Sequence, residues 1–269
     1  MSNETQKQPK KVRIVLTQRD TEILQYVAAF RIVTLEDLFR RFFDGLTVAA
    51  AKSTLRRLRG RQGGVRYLRP QKISAKGVGY VLTRQGCLTL GLPTKRCRSV
   101  GPKSATQKLA LADYLRGSSN RTLIRGRLLR EFLNIPNGRL PGATVVTEVT
   151  PTSERIQVVF VHHGGLPRGS AKRIASQFHD YIKRGWFHDA FSERTLDVVV
   201  LTGLAPVVVP LKRAMDMAID EKLYTTAKKL HGVEQASTIL GIRVQHVRSI
   251  EGLIVARFHS KKTGKGAKR

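Results

Sequence analysis

The sequence predicts an α+β protein with an N-terminal winged helix-turn-helix followed by an α/β domain. Three observations support this prediction. The 269 residues suffice for two ordinary domains, and 41% of them are hydrophobic, so the chain can bury a core. Three helical patterns and then two short strand patterns occur in the first 90 residues. Further on, valine-rich strand patterns and helical patterns occur together, as in a layered α/β domain; residues 121–133 read as one helix, and the apolar run Val198–Leu201 reads as a strand buried on both faces.

The predicted domain boundaries follow changes in composition. Residues 1–11 are polar and lack periodicity, which predicts a disordered lead. The basic stretch at 93–104 is predicted to be a linker between a winged helix-turn-helix at 12–92 and an α/β domain at 105–258. Residues 259–269, HSKKTGKGAKR, form a basic tail with too few apolar residues to pack, and this tail can reach phosphates.

The first two helices are predicted from matching N-terminal signals. Thr17 and Thr34 each precede an apolar pattern with helical spacing, and an aspartate, Asp20 or Asp37, follows three residues later. A threonine caps a helix start well, and a carboxylate in the first turn suits the helix dipole. The residues expected to face inward are Ile23, Leu24, Val27, Phe30, Leu35, Leu38, Phe39 and Phe42.

A third helix and a two-stranded hairpin follow. Thr47 is the expected start of the helix VAAAKSTLRRLRGR, and Gly63-Gly64 is expected to end it. The segments VRYLRP and GYVLT are predicted to be strands joined by the basic loop QKISAKGV. The predicted buried seam of the helix consists of Ala50, Thr54, Leu55 and Leu58.

The positive charge of the chain predicts a nucleic-acid partner. The formal net charge is +30, and such charge repels itself unless a polyanion neutralises it. An anionic membrane surface is the alternative, but we find no apolar run of about eighteen residues and no signal-peptide core. Cys87 and Cys97 lie ten residues apart without a CxxC pair, which indicates ordinary thiols in a cytoplasmic protein. We predict no metal and no cofactor.

The DNA contacts are expected on the third helix and the hairpin. The stretch Ser53–Lys72 is rich in arginine and contains no acidic residue. In a winged helix-turn-helix the second helix of the pair enters the major groove and the wing follows the backbone or minor groove. Most basic side chains should contact phosphates, which set register without reading sequence. The predicted contacts are Thr47, Lys52 and Ser53 for bases, and Arg56, Arg57, Arg59, Arg61, Arg66, Arg69, Lys72 and Lys76 for phosphates. A solvated basic face without a ligand is the alternative.

Two segments resemble a known family. The opening segment LTQRD and the segment YVLTRQG are similar to the Leu-Thr-x-Arg-Asp and Tyr-x-Leu-Thr-x-x-Gly patterns of the replication-relaxation family of bacterial plasmids and integrative elements. The resemblance covers about the first 90 residues. It implies a role in plasmid replication or DNA relaxation. The matching residues are Leu16, Thr17, Arg19, Asp20, Tyr80, Leu82, Thr83 and Gly86.

The resemblance also implies a second domain of restriction-endonuclease-like build. That chemistry uses clustered carboxylates to hold Mg²⁺ and a lysine near the attacking water. Here Pro141-Gly142 stands where the family has Pro-Asp, and the following strand, VVFVHHGG, has neither acid nor lysine. Neither Glu148 nor Glu154 is followed by lysine two residues on, and Asp220-Glu221-Lys222 lies in a helical pattern. We therefore predict a degenerate nuclease-like domain without a metal site.

A second DNA contact is predicted near the segment HHGGLPRGSAKR. A helix is expected to begin near Ala171, and its N-terminus would bind phosphate; a plain loop and cap is the alternative. The residues of this predicted contact are Arg168, Ser170, Lys172 and Arg173. His162 and His163 are predicted to be partly exposed strand-end residues on opposite faces. The nearby aromatics are predicted to form core, with stacking on unpaired bases as the alternative: Phe178, Tyr181, Trp186 and Phe187.

The sequence thus predicts a non-enzymatic, cytoplasmic double-stranded DNA-binding protein of a mobile genetic element. It would bind an origin or promoter as a homodimer, because one winged helix reads too few base pairs. The second domain would pair protomers or recruit a relaxase or replication initiator. The alternatives are a transcriptional regulator with the same winged helix, a Mg²⁺-dependent nuclease or nickase using the second domain, and an RNA-binding protein.

Overall fold

The computed structural model describes residues 15–60, 64–73, 77–133, 144–233, 235–251 and 253. The described residues form an α+β structure with mixed sheets, as predicted, and divide into two compact units between Leu109 and Ala110. This division falls within a helix, whereas the predicted linker was 93–104. The predicted lead at 1–11 and the basic tail at 259–269 lie outside the described residues.

The helices and strands have the following bounds. The helices are α1 (Gln18–Phe30), α2 (Leu35–Phe42), α3 (Val48–Leu58), α4 (Arg84–Thr89), α5 (Pro102–Arg116), α6 (Gly126–Phe132), α7 (Pro167–Lys183), α8 (His188–Ser192) and α9 (Val208–His231). The strands are β1 (Val33–Thr34), β2 (Leu68–Lys72), β3 (Val78–Leu82), β4 (Arg121–Ile124), β5 (Thr144–Thr150), β6 (Ser153–His162), β7 (Leu196–Thr202) and β8 (Gly241–His246). Within the described part of the chain, no helix is long and apolar enough to cross a membrane.

The predicted caps of α1 and α2 are confirmed, and each is reciprocal. The Thr17 hydroxyl accepts a hydrogen bond from the Asp20 amide at 3.2 Å, and the Thr17 amide donates to the Asp20 carboxylate at 2.9 Å. Thr34 and Asp37 repeat this arrangement at the start of α2. Each of these reciprocal caps, or capping boxes, gives a partner to two backbone amides, that of the threonine and that of the aspartate, which the helix itself leaves without one. The local sequence therefore defines both helix starts.

The first unit contains a three-stranded antiparallel sheet in the order β1-β3-β2. The sequence predicted the hairpin strands at 65–70 and 79–83, while the structure places them at 68–72 and 78–82. β1 was not predicted, because two residues are too short for an alternating pattern. It forms by pairing Val33 with Tyr80 of β3.

The buried side of α3 differs by one position from the prediction. Ala51, Leu55 and Leu58 are buried, whereas Ala50 and Thr54 are only partly buried. Ala51 and Leu55 are four residues apart and Leu58 is three further on, so all three lie on one helical face. This face packs α3 into the unit and leaves Lys52 and Arg56 exposed.

The second unit contains a five-stranded mixed sheet in the order β4-β5-β6-β7-β8. β4, β5 and β6 are antiparallel, while β6, β7 and β8 are parallel. Residues 121–133 were predicted to be one helix, but the structure divides them into β4 and α6. Pairing of Arg121 with Glu148 on β5 favours the strand. The local spacing of apolar residues cannot predict this pairing, because the partner strand is distant in the sequence.

One face of this sheet packs against α7 and α9. Its core includes Val158 and Val200 from the sheet, Phe178 from α7 and Met215 from α9. β7 is buried along its whole length, as its apolar run predicted. The aromatic cluster in and just after α7 is confirmed as core: Phe178, Tyr181 and Phe187 are buried, and Trp186 packs against the same core.

Candidate nucleic-acid interface

α3 presents polar and basic residues on its outer face. Thr47 caps the helix by accepting a hydrogen bond from the Ala50 amide at 3.3 Å. The exposed residues on this face of α3 are Lys52, Ser53 and Arg56. The cap uses Thr47 as an acceptor, so the hydroxyl proton of this residue is still free to donate to a ligand.

Two cations of α3 and one at its C-terminal cap line a shallow hollow of about 230 Å³. Lys52, Arg56 and Arg59 lie four and three residues apart, which places them on one helical stripe. In the regions the structure describes, no ion pair engages these three side chains. The hollow is completed by Tyr80 of β3 and by Leu35 and Leu55. The sequence predicted all three cations to be DNA contacts, which stays a prediction, and it gave no site role to Tyr80.

Arg57 has a partner within the chain. Its guanidinium donates to the Asp20 carboxylate at 2.7 Å, and the Asp20 side chain is fully buried. The carboxylate that caps α1 therefore also ties α1 to α3. Arg57 was predicted to contact phosphate, but its guanidinium is engaged by this ion pair, because a buried carboxylate requires compensation.

The basic residues of the hairpin divide in a similar way. Arg66 and Lys72 are exposed, as a phosphate contact requires. Arg69 instead donates to the Cys97 carbonyl at 3.0 Å and to the Ser99 hydroxyl at 3.1 Å. Residues 97–100 therefore lie against β2 rather than forming a free linker. Two further predicted contacts, Arg61 and Lys76, lie outside the described residues.

The arrangement of α3 beside the β2–β3 hairpin invites comparison with known proteins. No family model, curated protein or solved structure matches this chain. The resemblance to the replication-relaxation family stays a prediction. The function is therefore inferred from the residues of this chain.

The second predicted DNA contact is only partly accessible. α7 begins at Pro167 instead of near Ala171, and no side chain caps its first turn. Ser170 is consequently inside the helix and buried, which removes it from any DNA contact. Arg168, Lys172 and Arg173 are exposed, and the first two line a groove between α7 and α9.

A network of charged residues occupies the face of the sheet opposite α7 and α9. Glu148 accepts from Arg121 at 2.7 Å, from Gln157 at 2.6 Å and from Arg243 at 3.1 Å. Arg155 and Arg243 both donate to Asp197, whose carboxylate is buried. These arginines and Gln157 use the lone pairs that a metal ion would need. Within the described residues, no group of three potential ligands could hold a metal.

Gly241 makes this network possible. It lies opposite Asp197 in the sheet, and an added Cβ would lie 2.1 Å from Asp197 Oδ1. Any side chain there would displace the carboxylate from Arg155. The other acidic residues considered for nuclease chemistry lie elsewhere: Glu154 is exposed, and Asp220, in the middle of α9, accepts from the amide and hydroxyl of Ser237. The Pro141-Gly142 step is outside the described residues.

The network predicts a pH-dependent stability. Burial disfavours the charged form of Glu148, but hydrogen bonds and positive charge from Arg121 and Arg243 outweigh burial and lower its pKa. The stabilisation of the fold by the Glu148 carboxylate is therefore complete above the ordinary glutamate pKa of about 4.3 and is lost as pH falls through the lower folded-state pKa.

In urea unfolding between pH 7 and pH 3, we expect Glu148→Gln to be less stable than wild type at pH 7 and less sensitive to acid. Glu154→Gln, which changes an exposed carboxylate, is the control. A parallel pH dependence in Glu148→Gln and wild type would contradict this role.

The burial of His162 differs from the prediction. It was predicted to be partly exposed, but it is fully buried at the end of β6, with Nδ1 3.2 Å from the Thr202 hydroxyl on β7. Burial lowers its pKa below the usual histidine value, and the charge of Arg173 acts in the same direction, against the opposing effect of a hydrogen bond to the Gly165 backbone. His162 is therefore a neutral core residue at neutral pH.

Proposed function

We propose that this chain is a double-stranded DNA-binding protein and that its first unit is a winged helix-turn-helix. The observation that carries the proposal is the stripe formed by Lys52 and Arg56 on the outer face of α3 and by Arg59 at its C-terminal cap, which no carboxylate in the described residues neutralises. A stripe of cations along one helix is typical of a surface that binds a phosphate backbone. The net charge of +30 supports the same partner.

The order of elements supports the winged-helix interpretation. Helices α1, α2 and α3 precede the antiparallel β2–β3 hairpin, and β1 closes the sheet. In this arrangement α3 enters the major groove and the hairpin lies along the backbone. Lys52 and Ser53 face the bases, and Arg56 and Arg59 contact phosphates together with the exposed Arg66 and Lys72 of the hairpin.

The proposed biological role is the control of a mobile genetic element in the cytoplasm. The LTQRD and YVLTRQG segments support replication or relaxation of plasmid DNA, and the same interface serves a transcriptional regulator equally well. A homodimer would read two half-sites and so gain discrimination. The second unit would pair the protomers or recruit a relaxase or replication initiator. No carboxylate cluster among the described residues favours a nuclease.

The proposal is tested by mixing the full-length protein with supercoiled plasmid and linear duplex, with and without Mg²⁺. We expect tight, salt-sensitive binding to both DNA forms and no nicking, because phosphate contacts release counterions. Double-stranded RNA is included as a competitor. Nicking that requires Mg²⁺ would show that the protein is an enzyme. Displacement of DNA by an equal amount of RNA would show that duplex DNA is not its preferred partner.

A further inference from the structure

A groove of about 760 Å³ lies between the start of α7 and the first half of α9. Three large apolar side chains line it while remaining mostly open to solvent: Leu166 is 82% exposed, Val209 60% and Met217 64%. Contiguous apolar surface of this kind is uncommon on a protein without a partner at that site. The groove lies entirely within the second unit, far along the chain from α3.

The rim of the groove is positively charged. Arg168 and Lys172 of α7 and Arg213 of α9 line it, against a single acidic residue, Glu221. In the described residues, no ion pair engages the three cations. A partner must therefore offer carboxylates at its edges and apolar side chains at its centre. Duplex DNA offers phosphates for the cations but nothing apolar to cover Leu166 or Met217.

The dimensions and walls of the groove favour a helix as the occupant. Val209 and Glu221 are twelve residues apart on α9, so the groove runs for about 18 Å, or about three helical turns. Both walls are helices whose backbone groups bond within the helix, so an extended segment would find no strand to pair with. A helix satisfies its own backbone and can insert one apolar face.

We propose that this groove binds an amphipathic helix of another protein, with a narrow apolar face flanked by glutamate or aspartate. The segments of this chain outside the described residues contain only two carboxylates, Glu4 and Glu234, so they do not fit. A second copy brings the same basic rim. The inference is independent of DNA binding by α3, and it gives the second unit a partner-recruiting surface of defined chemistry.

The probe is a fluorescent 16-residue helical peptide with leucines at helical spacing and flanking glutamates. Its control has lysines in place of the glutamates. Fluorescence anisotropy with the full-length protein should show saturable binding of the glutamate peptide, at least tenfold weaker binding of the lysine peptide, and weakening by salt. Met217→Glu should reduce binding at least tenfold. Leu128→Glu, at a position that is also 64% exposed but lies on α6, should bind like wild type.

Duplex DNA binding and sedimentation are measured on the same variants. Equal binding of the two peptides, no binding of either, or full binding by Met217→Glu would overturn the proposal. If Met217→Glu converts a dimer to a monomer, the groove is an interface between copies; if it abolishes DNA binding, the groove is a DNA surface. Either result also overturns the proposal. If the α3 variants lose DNA binding but still bind the peptide, the change affects the DNA contact of α3 and leaves the groove intact.

Discussion

Replacing Lys52, Arg56 and Arg59 together by alanine is expected to weaken duplex DNA binding by about 10- to 100-fold at moderate salt. Lys52 and Arg56 are exposed on α3, Arg59 is half-buried at its C-terminal cap, and no carboxylate in the described residues pairs with any of the three. Arg56 and Arg59 are the phosphate contacts among the three, and each lost phosphate contact lowers the slope of log K against log salt by about 0.9, so the slope should fall by about 1.8. Fluorescence anisotropy over a salt series measures both quantities.

The matched control removes the same charge elsewhere. Lys183, Lys222 and Lys229 are exposed on α7 and α9, and their triple alanine variant should keep the wild-type slope. Arg56 and Arg57 provide a sharper comparison, because they are neighbours with different surroundings. Arg56→Ala should lower the slope by about 0.9, whereas Arg57→Ala should lower stability and leave the slope unchanged. Equal slopes for the stripe variant and wild type would remove α3 from the interface.

Asp20→Ala is expected to lower the free energy of unfolding of the first unit by about 2–4 kcal/mol. The buried carboxylate accepts from the Thr17 amide and from Arg57, so its removal breaks the cap of α1 and the link to α3 at once. Urea unfolding followed by circular dichroism measures the change. The reduced stability should be accompanied by weaker DNA binding, because Arg57 positions the second half of α3.

Two other variants separate these contributions. Glu22→Ala removes an exposed carboxylate from the same helix and should leave stability close to wild type. Asp20→Asn keeps an oxygen for the Thr17 amide but loses the charge that pairs with Arg57, so it should fall between wild type and Asp20→Ala. An Asp20→Ala variant as stable as Glu22→Ala would show that the buried ion pair contributes nothing.

Much of the first unit was predictable because its signals are local. A threonine followed by an aspartate three residues later specifies a helix start through hydrogen bonds within one turn, and both caps form as expected. The exposed stripe of α3 was also predictable, because helical spacing assigns a residue to the inner or outer face. The error of one residue, Ala51 in place of Ala50, reflects the small size of alanine, which fits on either side.

Contacts between distant segments limited the prediction of the sheets. β4 was expected to be helical and forms a strand because β5 lies beside it, and β8 was not predicted, although its pairing with β7 completes the sheet. Ser170 was assigned to a phosphate site from its place before a basic run. The earlier start of α7, at Pro167, places it in the buried part of the helix.

The sequence by itself determined the charge, the helix starts and the basic outer face of α3, since these depend on composition and on residues within two helical turns. Tertiary structure alone decided which cations are available to a ligand. Arg56 and Arg57 are equivalent in composition, yet only Arg57 meets a buried carboxylate, from a residue 37 positions earlier. The same holds for Arg69, whose partners lie 28 and 30 residues away. A buried acceptor must be compensated wherever folding places it, and only the folded chain brings these groups together.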